Sequence, residues 1–213
     1  MMEDIQLIIE RMERRDLARE EAIKLTREAT RLSARAIRQI HRSLDNPSEI
    51  EECKNSLRRA RELLNEVDNL LKDMPEIYYA GFVEHAQQEF AEAVITFNII
   101  RAFEDGKNVR IPSPEELNVT DASYLGGLAD TVGECRRYII SLLIRGETKK
   151  AQKVLALCED IHHILMEFDF PDALTHGLRH KADIASQLID KTRSDITAAF
   201  AAERIEKVVK KVG

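Results

Sequence analysis

The sequence predicts an all-α protein, a bundle of long antiparallel helices, on three observations. Its 213 residues include only 8 Gly and 5 Pro against 44% hydrophobic and 33% charged residues, a composition of helix formers. All five prolines fall in gaps between segments whose apolar residues recur every three or four positions, the period of a helix with one buried face. The stretch Phe90–Phe103 is apolar nearly all round a helix, interrupted only by Glu92, Thr96, Asn98 and Arg101. A helix of that kind belongs inside a bundle.

Taken in order, the first helix is expected from about Glu3 to Leu44. Ala22, Leu25, Ala29, Leu32, Ala36 and Ile40 form a seam that wants a partner helix. Asp45-Asn46-Pro47 ends it, with Asn46 as the expected cap and Pro47 as the first residue of a second helix reaching Lys72. Met74-Pro75 breaks the chain again, and the central helix follows to about Phe103. Residues 104–120 read as an irregular segment in which Ser113-Pro114 can start a short helix. Thr120 or Asp121 caps the next helix, which runs to Arg145 along Leu125, Leu128, Val132, Cys135, Ile139 and Leu142, and Gly146 ends it. A helix over about Thr148–Phe168, a turn at Asp169-Phe170-Pro171 and a last helix to Val212, broken near Gly177, complete the chain.

The net charge of −6 argues against a chain that binds polyanions through its overall charge. Cys53, Cys135 and Cys158 are odd in number and sit inside helical patterns, which suits a reduced, cytoplasmic protein. No run of 18 apolar residues occurs, so no membrane association is expected.

Two acidic pairs are candidates for chemistry. Glu89 and Glu92 are three apart on the central helix and share a face with His85 and Thr96. Like charges in apolar surroundings need a cation or a proton. Asp130 and Glu134 are four apart on the next long helix, and Gly133 between them leaves room for another backbone or a ligand. Together the four are candidate metal ligands and catalytic groups, and hard carboxylate donors suit Mg²⁺ or Mn²⁺. Asp130 and Glu134 equally read as acids facing water, because they lie opposite their own apolar seam.

Lys24, Arg27, Arg31, Arg35, Arg38 and Arg42 form a basic stripe about 130° round the first helix from its seam. Only Glu28 is acidic between Leu25 and Leu44. The stripe is a candidate nucleic-acid-binding surface through phosphate contacts; its alternative is a solvated face paired with acids on neighbouring helices. Glu159 and His162 form one Glu-x-x-His unit without a second copy, which argues against a di-iron bundle. His176 and His180 lack the Glu of a zincin motif.

The segments HAQQEFAEAVITF and SYLGGLADTVGECRRYIISLLIRGE resemble the translin family, and within it the catalytic branch of translin-associated factor X (TRAX). REEAIKLTREATRLSARAIRQIHR and LRHKADIASQLIDKTRSDI are similar to that family's first and last helices. The resemblance implies one domain over residues 1–213, a seven-helix bundle that assembles into a hollow octamer. In the family, TRAX-type subunits are Mg²⁺-dependent endoribonucleases and translin-type subunits bind RNA without cutting it. Together they form the component 3 promoter of the RNA-induced silencing complex. The TRAX catalytic acids match Glu89, Glu92, Asp130 and Glu134 here. The expectation is therefore a homo-octamer that cleaves single-stranded or short RNA with Mg²⁺, or Mn²⁺. The alternative is a non-catalytic assembly of translin type that binds RNA or ssDNA.

Overall fold

The protein is represented by a computed structural model, which describes residues 2–212. Among them are nine helices and no strand: α1 Met2–Arg42, α2 Glu49–Leu71, α3 Pro75–Tyr78, α4 Phe82–Glu104, α5 Pro114–Leu117, α6 Asp121–Ile144, α7 Thr148–Leu165, α8 Asp172–Thr175 and α9 Leu178–Val212. The all-α class is as expected, but the count of seven is corrected to nine among the described residues. Six of the nine are long and three are single turns of four residues, of which α3 and α8 lie beyond the expected segments. Each single turn is followed shortly by a residue with positive φ, Gly81 after α3, Asn118 after α5 and His176 after α8. A left-handed residue cannot continue a right-handed helix.

The start of α2 also differs from expectation. Asn46 accepts hydrogen bonds from the backbone N–H and the hydroxyl of Ser48, at 3.3 and 2.9 Å. This local turn delays the helix to Glu49, with Ser48 rather than Asn46 at the cap position. Thr120 caps α6 as expected: its Oγ1 accepts the Ser123 N–H at 3.3 Å.

The chain divides into two compact units, Met1–Val94 with Pro114–Tyr124, and Ile95–Ser113 with Leu125–Gly213. In the first, the seam of α1 packs on α2. Ala29 and Leu32 meet Ala60, Leu63 and Leu64, with Ala86, Phe90 and Ala91 of α4 and Leu117 of α5 in the same cluster. A second cluster joins Ala18 and Ala22 to Val67, Leu71, Ile77 and Val83. Small residues on α1 let the helices approach closely, and truncating a large partner such as Leu64 to Ala would cost about 2–5 kcal/mol. Before Ala18, α1 is exposed throughout its described side chains, Ile5, Leu7, Ile8 and Met12 included.

The amide of Gln87, 1% exposed, organises the polar part of this unit. It donates to the Tyr78 hydroxyl at 2.8 Å and accepts from the Thr120 N–H at 3.1 Å and the Ser123 hydroxyl at 3.3 Å. Tyr78 in turn donates to Asp68 at 3.0 Å, and Asn118 donates to the other Asp68 oxygen at 2.7 Å. Burial, then the Asp68 charge, push the Tyr78 hydroxyl up to about 12.

In the second unit the apolar seam of α6 is buried along its length, and α7 packs on α9. Arg136 on α6 reaches Thr192 and Asp195 on α9, both at 2.8 Å. Glu104 at the end of α4 accepts from Tyr138 and Arg145 and pairs with Lys150 at 3.3 Å. Burial opposes its charge, but these donors and the two cations outweigh that and hold its carboxyl at about 2. All three cysteines are buried and unpaired as disulfides. Burial pushes the Cys53 thiol up to about 12, and a hydrogen bond with Cys158, together with burial, raises Cys135. No helix among the described residues is long and apolar enough to cross a membrane.

Candidate functional site

The basic stripe lies where the helical period places it. Lys24, Arg27, Arg31, Arg35, Arg38 and Arg42 are all exposed on α1, while the seam residues behind them are buried. Intramolecular pairing accounts for only part of the stripe. Lys24 pairs with Glu21 at 3.2 Å, Arg31 with Glu28, and Arg42 with Glu49 of α2 at 3.5 Å. Arg27, Arg35 and Arg38 have no acidic partner among the described residues. The pairs that do form are exposed and individually weak.

Within the first unit the stripe borders a groove of about 810 Å³. Arg19, Lys24, Arg27 and Arg31 line its α1 side around Ile23, Thr26 and Thr30, and Phe82 and His85 form its α4 wall. Arg19 and Phe82 were not singled out from the sequence. Arg19 lies one residue beyond the first buried seam position, and nothing local to Phe82 marks it as facing a basic helix. A cationic channel with an exposed imidazole and a partly exposed aromatic ring is suited to a phosphodiester chain with bases that can stack.

The α4 wall continues into the first acidic pair. His85 and Glu89 are one helical turn apart, Glu92 follows three residues later, and both carboxylates are half-buried. These residues and the groove lie in the same unit.

Asp130 and Glu134 lie on α6 in the second unit, both half-buried. Lys181 of α9, a residue sequence reasoning missed, donates to both Asp130 oxygens at 2.9 and 2.7 Å. Glu134 stands 3.7 Å from Arg137. The reading of this pair as acids simply facing water is therefore replaced by half-buried, cation-contacted groups. Gly133 is not demanded by crowding: a Cβ there would meet only Leu188 Cδ1, at an ordinary 3.8 Å. The donor chemistry of all four residues suits a hard divalent cation. Among the described residues, however, no group of three or more His, Cys, Asp or Glu side chains is placed to hold a metal ion.

Comparison with known proteins extends over nearly the whole chain. The sequence profile of the translin family matches residues 17–194. Uncharacterized protein MJ0175 of Methanocaldococcus jannaschii is 32% identical over 212 residues, 99% of this chain and 89% of that protein. Among solved structures, AfC3PO in complex with duplex RNA superposes with a TM-score of 0.80 at 37% identity, covering 93% of this chain and 97% of that one. AfC3PO alone gives 0.80 at 38% identity, with coverage of 93% and 98%. Apo-NeC3PO, at 24% identity and a TM-score of 0.73 over 90% and 96% of the chains, shares the fold.

Proposed function

Because this chain belongs to the translin family, we propose that it is an RNA-binding subunit of a translin-type homo-oligomer, and that it cleaves RNA as a Mg²⁺-dependent endoribonuclease of the TRAX-like branch. The observation that carries this reading is the α1 groove, whose α4 wall leads from His85 directly to Glu89 and Glu92. A backbone tracked by Lys24, Arg27 and Arg31 is thereby delivered to a carboxylate pair. The likeness to AfC3PO, solved with duplex RNA, supports RNA as the polyanion. Exposed Ile205, Val208 and Val209 on α9 support assembly into an oligomer, here proposed as an octamer. Single-stranded or short RNA is the proposed substrate, and ssDNA a further ligand of the same groove.

In this proposal Glu89, Glu92, Asp130 and Glu134 are the residues that would serve as ligands to the metal, Mg²⁺ or Mn²⁺. When bound, the ion supplies Lewis-acid polarisation of the phosphate and a more acidic water. The protein's own contribution is to align the strand and to accept a proton. Arginines on α1 would fix the phosphates, and a carboxylate oxygen not engaged as a ligand would accept the proton of the water that attacks phosphorus, while the P–O bond to the departing ribose oxygen breaks and that oxygen takes a proton from solvent. Lys181 must release at least one Asp130 oxygen for that residue to serve as a ligand.

The second reading is a non-catalytic assembly that binds RNA or ssDNA. The Asp130–Lys181 pair favours it, since the protein already provides that carboxylate with a cation. A cleavage time course separates the two. Wild type and Glu92→Ala are each incubated with labelled single-stranded RNA in Mg²⁺ and in chelator, with binding followed in parallel. Cutting by wild type in Mg²⁺ alone, lost in Glu92→Ala with binding kept, supports the nuclease. Binding without cutting under every condition establishes the second reading.

A further inference from the structure

A second cationic groove lies in the second unit, outside the carboxylates and the α1 stripe. It has a volume of about 600 Å³ and lies between the chain leaving α4 and the first turns of α7. Four lysines line it, Lys107, Lys149, Lys150 and Lys153, together with Phe103 and Asn108, and no acidic side chain does. Local acids neutralise two of the four. Lys107 is 3.4 Å from Asp105, and Lys150 is 2.6 Å from Glu147 and 3.3 Å from Glu104. Lys149 and Lys153 are exposed and have no acidic partner among the described residues.

Four residues apart on α7, Lys149 and Lys153 share a face and repel each other, so a bound anion relieves an unfavourable pair. The loop turns back on the end of α4. Gly106 adopts φ +64°, and the Lys107 N–H closes back on the Ala102 carbonyl at 2.8 Å. Phe103 is half-buried, with its ring 6.5 Å from that of Tyr138 in a tilted contact, so it offers an edge-supported, partly open face. Paired unneutralised lysines beside an aromatic face are the elements of single-strand recognition: phosphates on the cations, a base on the ring.

We propose that this groove is a second contact site for single-stranded RNA, with Lys149 and Lys153 engaging two backbone phosphates and Phe103 stacking on a base. The inference rests on the reading that RNA is the ligand, and it adds a surface distinct from the α1 groove.

The test is anisotropy titration of the full chain with a fluorescein-labelled single-stranded RNA across a salt series. Circular dichroism confirms that each variant is folded. Lys149→Gln with Lys153→Gln should weaken binding about tenfold and lower the magnitude of the log–log salt slope by about 1.4, two phosphates at about 0.7 each. Lys149→Arg with Lys153→Arg should restore both quantities. Phe103→Ala should weaken binding about fivefold with the salt slope unchanged.

If the Gln variant binds like wild type while Arg27→Gln with Arg31→Gln binds weakly, the second groove is refuted and the RNA reading stands. If wild type itself binds no RNA, the RNA reading fails and takes the groove proposal with it. If polyglutamate displaces the RNA from this groove at equal charge concentration and Phe103→Ala has no effect, the proposal is overturned in favour of an acidic protein segment.

Discussion

Lys181 Nζ lies 2.7 and 2.9 Å from the two carboxylate oxygens of Asp130, joining α9 to α6 within one unit. Both side chains are about a quarter exposed, at 24% and 30%. The pair is thus neither a screened surface contact nor a fully desolvated one, and its removal falls between those limits. Lys181→Met is expected to destabilise the protein by about 1–2 kcal/mol in urea unfolding. If Asp130 is a metal ligand, the same variant should take up Mn²⁺ more tightly, because the ion no longer competes with an ammonium group. Unchanged Mn²⁺ affinity by calorimetry would remove Asp130 from the ligand set.

The stripe on α1 yields a separate expectation. Arg31→Glu with Arg35→Glu should weaken RNA binding regardless of sequence and reduce its salt dependence, because fewer counterions are released. Arg35 has no partner to lose and Arg31 only the nearby Glu28, so thermal stability should stay within about 0.5 kcal/mol of wild type. Equal affinity at low salt would assign these residues to the solvated surface.

Glu104 predicts a pH dependence. Its carboxyl is lowered from an ordinary 4.5 to about 2. A depressed carboxyl stabilises the fold above its unfolded value and loses that contribution as pH falls through its folded value. Thermal melts between about pH 5 and pH 2 should therefore fall more steeply for wild type than for Glu104→Gln, the two curves converging near the acid end. Parallel curves over that range would mean that solvent screens the pair with Arg145 and Lys150.

Gln87→Leu should be among the more damaging polar substitutions in the first unit. It leaves the Thr120 N–H without its acceptor and removes the donor to Tyr78, at an expected cost of about 1–3 kcal/mol. Hydrogen exchange at the Thr120 amide should accelerate well beyond that of the amides within α6. Exchange that is unchanged there would show that the amide finds another acceptor.

Assembly is the remaining expectation. Ile205, Val208 and Val209 stand 65%, 61% and 65% exposed at helical spacing on α9, an apolar stripe that self-association would cover. Light scattering at micromolar concentration should report an oligomer, and a stable monomer would remove the basis for an enclosed chamber.

What could be read from the sequence is what helical periodicity encodes. The seam Ala22, Ala29, Ala36 and Ile40 and the exposed stripe opposite it are two phases of one 3.6-residue repeat, so both follow from spacing alone. The ends of α6, at Thr120 and Gly146, were legible because capping chemistry is local. Lys181 was not, since its partner lies 51 residues away and nothing near it in the chain singles it out. Gln87 was hidden for a related reason. Two consecutive glutamines read as surface, and only the packed unit shows Gln87 buried between Tyr78, Thr120 and Ser123. The two acidic pairs were visible as pairs, but the lysine that neutralises one of them was not. The break after α8 was legible from Gly177, which follows His176, whereas the positive φ at Asn118 that ends α5 is announced by no glycine.

The three cysteines, all buried with Cys53 and Cys135 raised well above an ordinary thiol, leave the native surface silent toward maleimides and other thiol reagents. Single reporter cysteines can therefore be placed one at a time along the α1 stripe or beside Lys153 without first stripping the native ones. The chain is in effect already prepared for site-specific cross-linking, in which a thiol-reactive RNA would record which groove each nucleotide occupies.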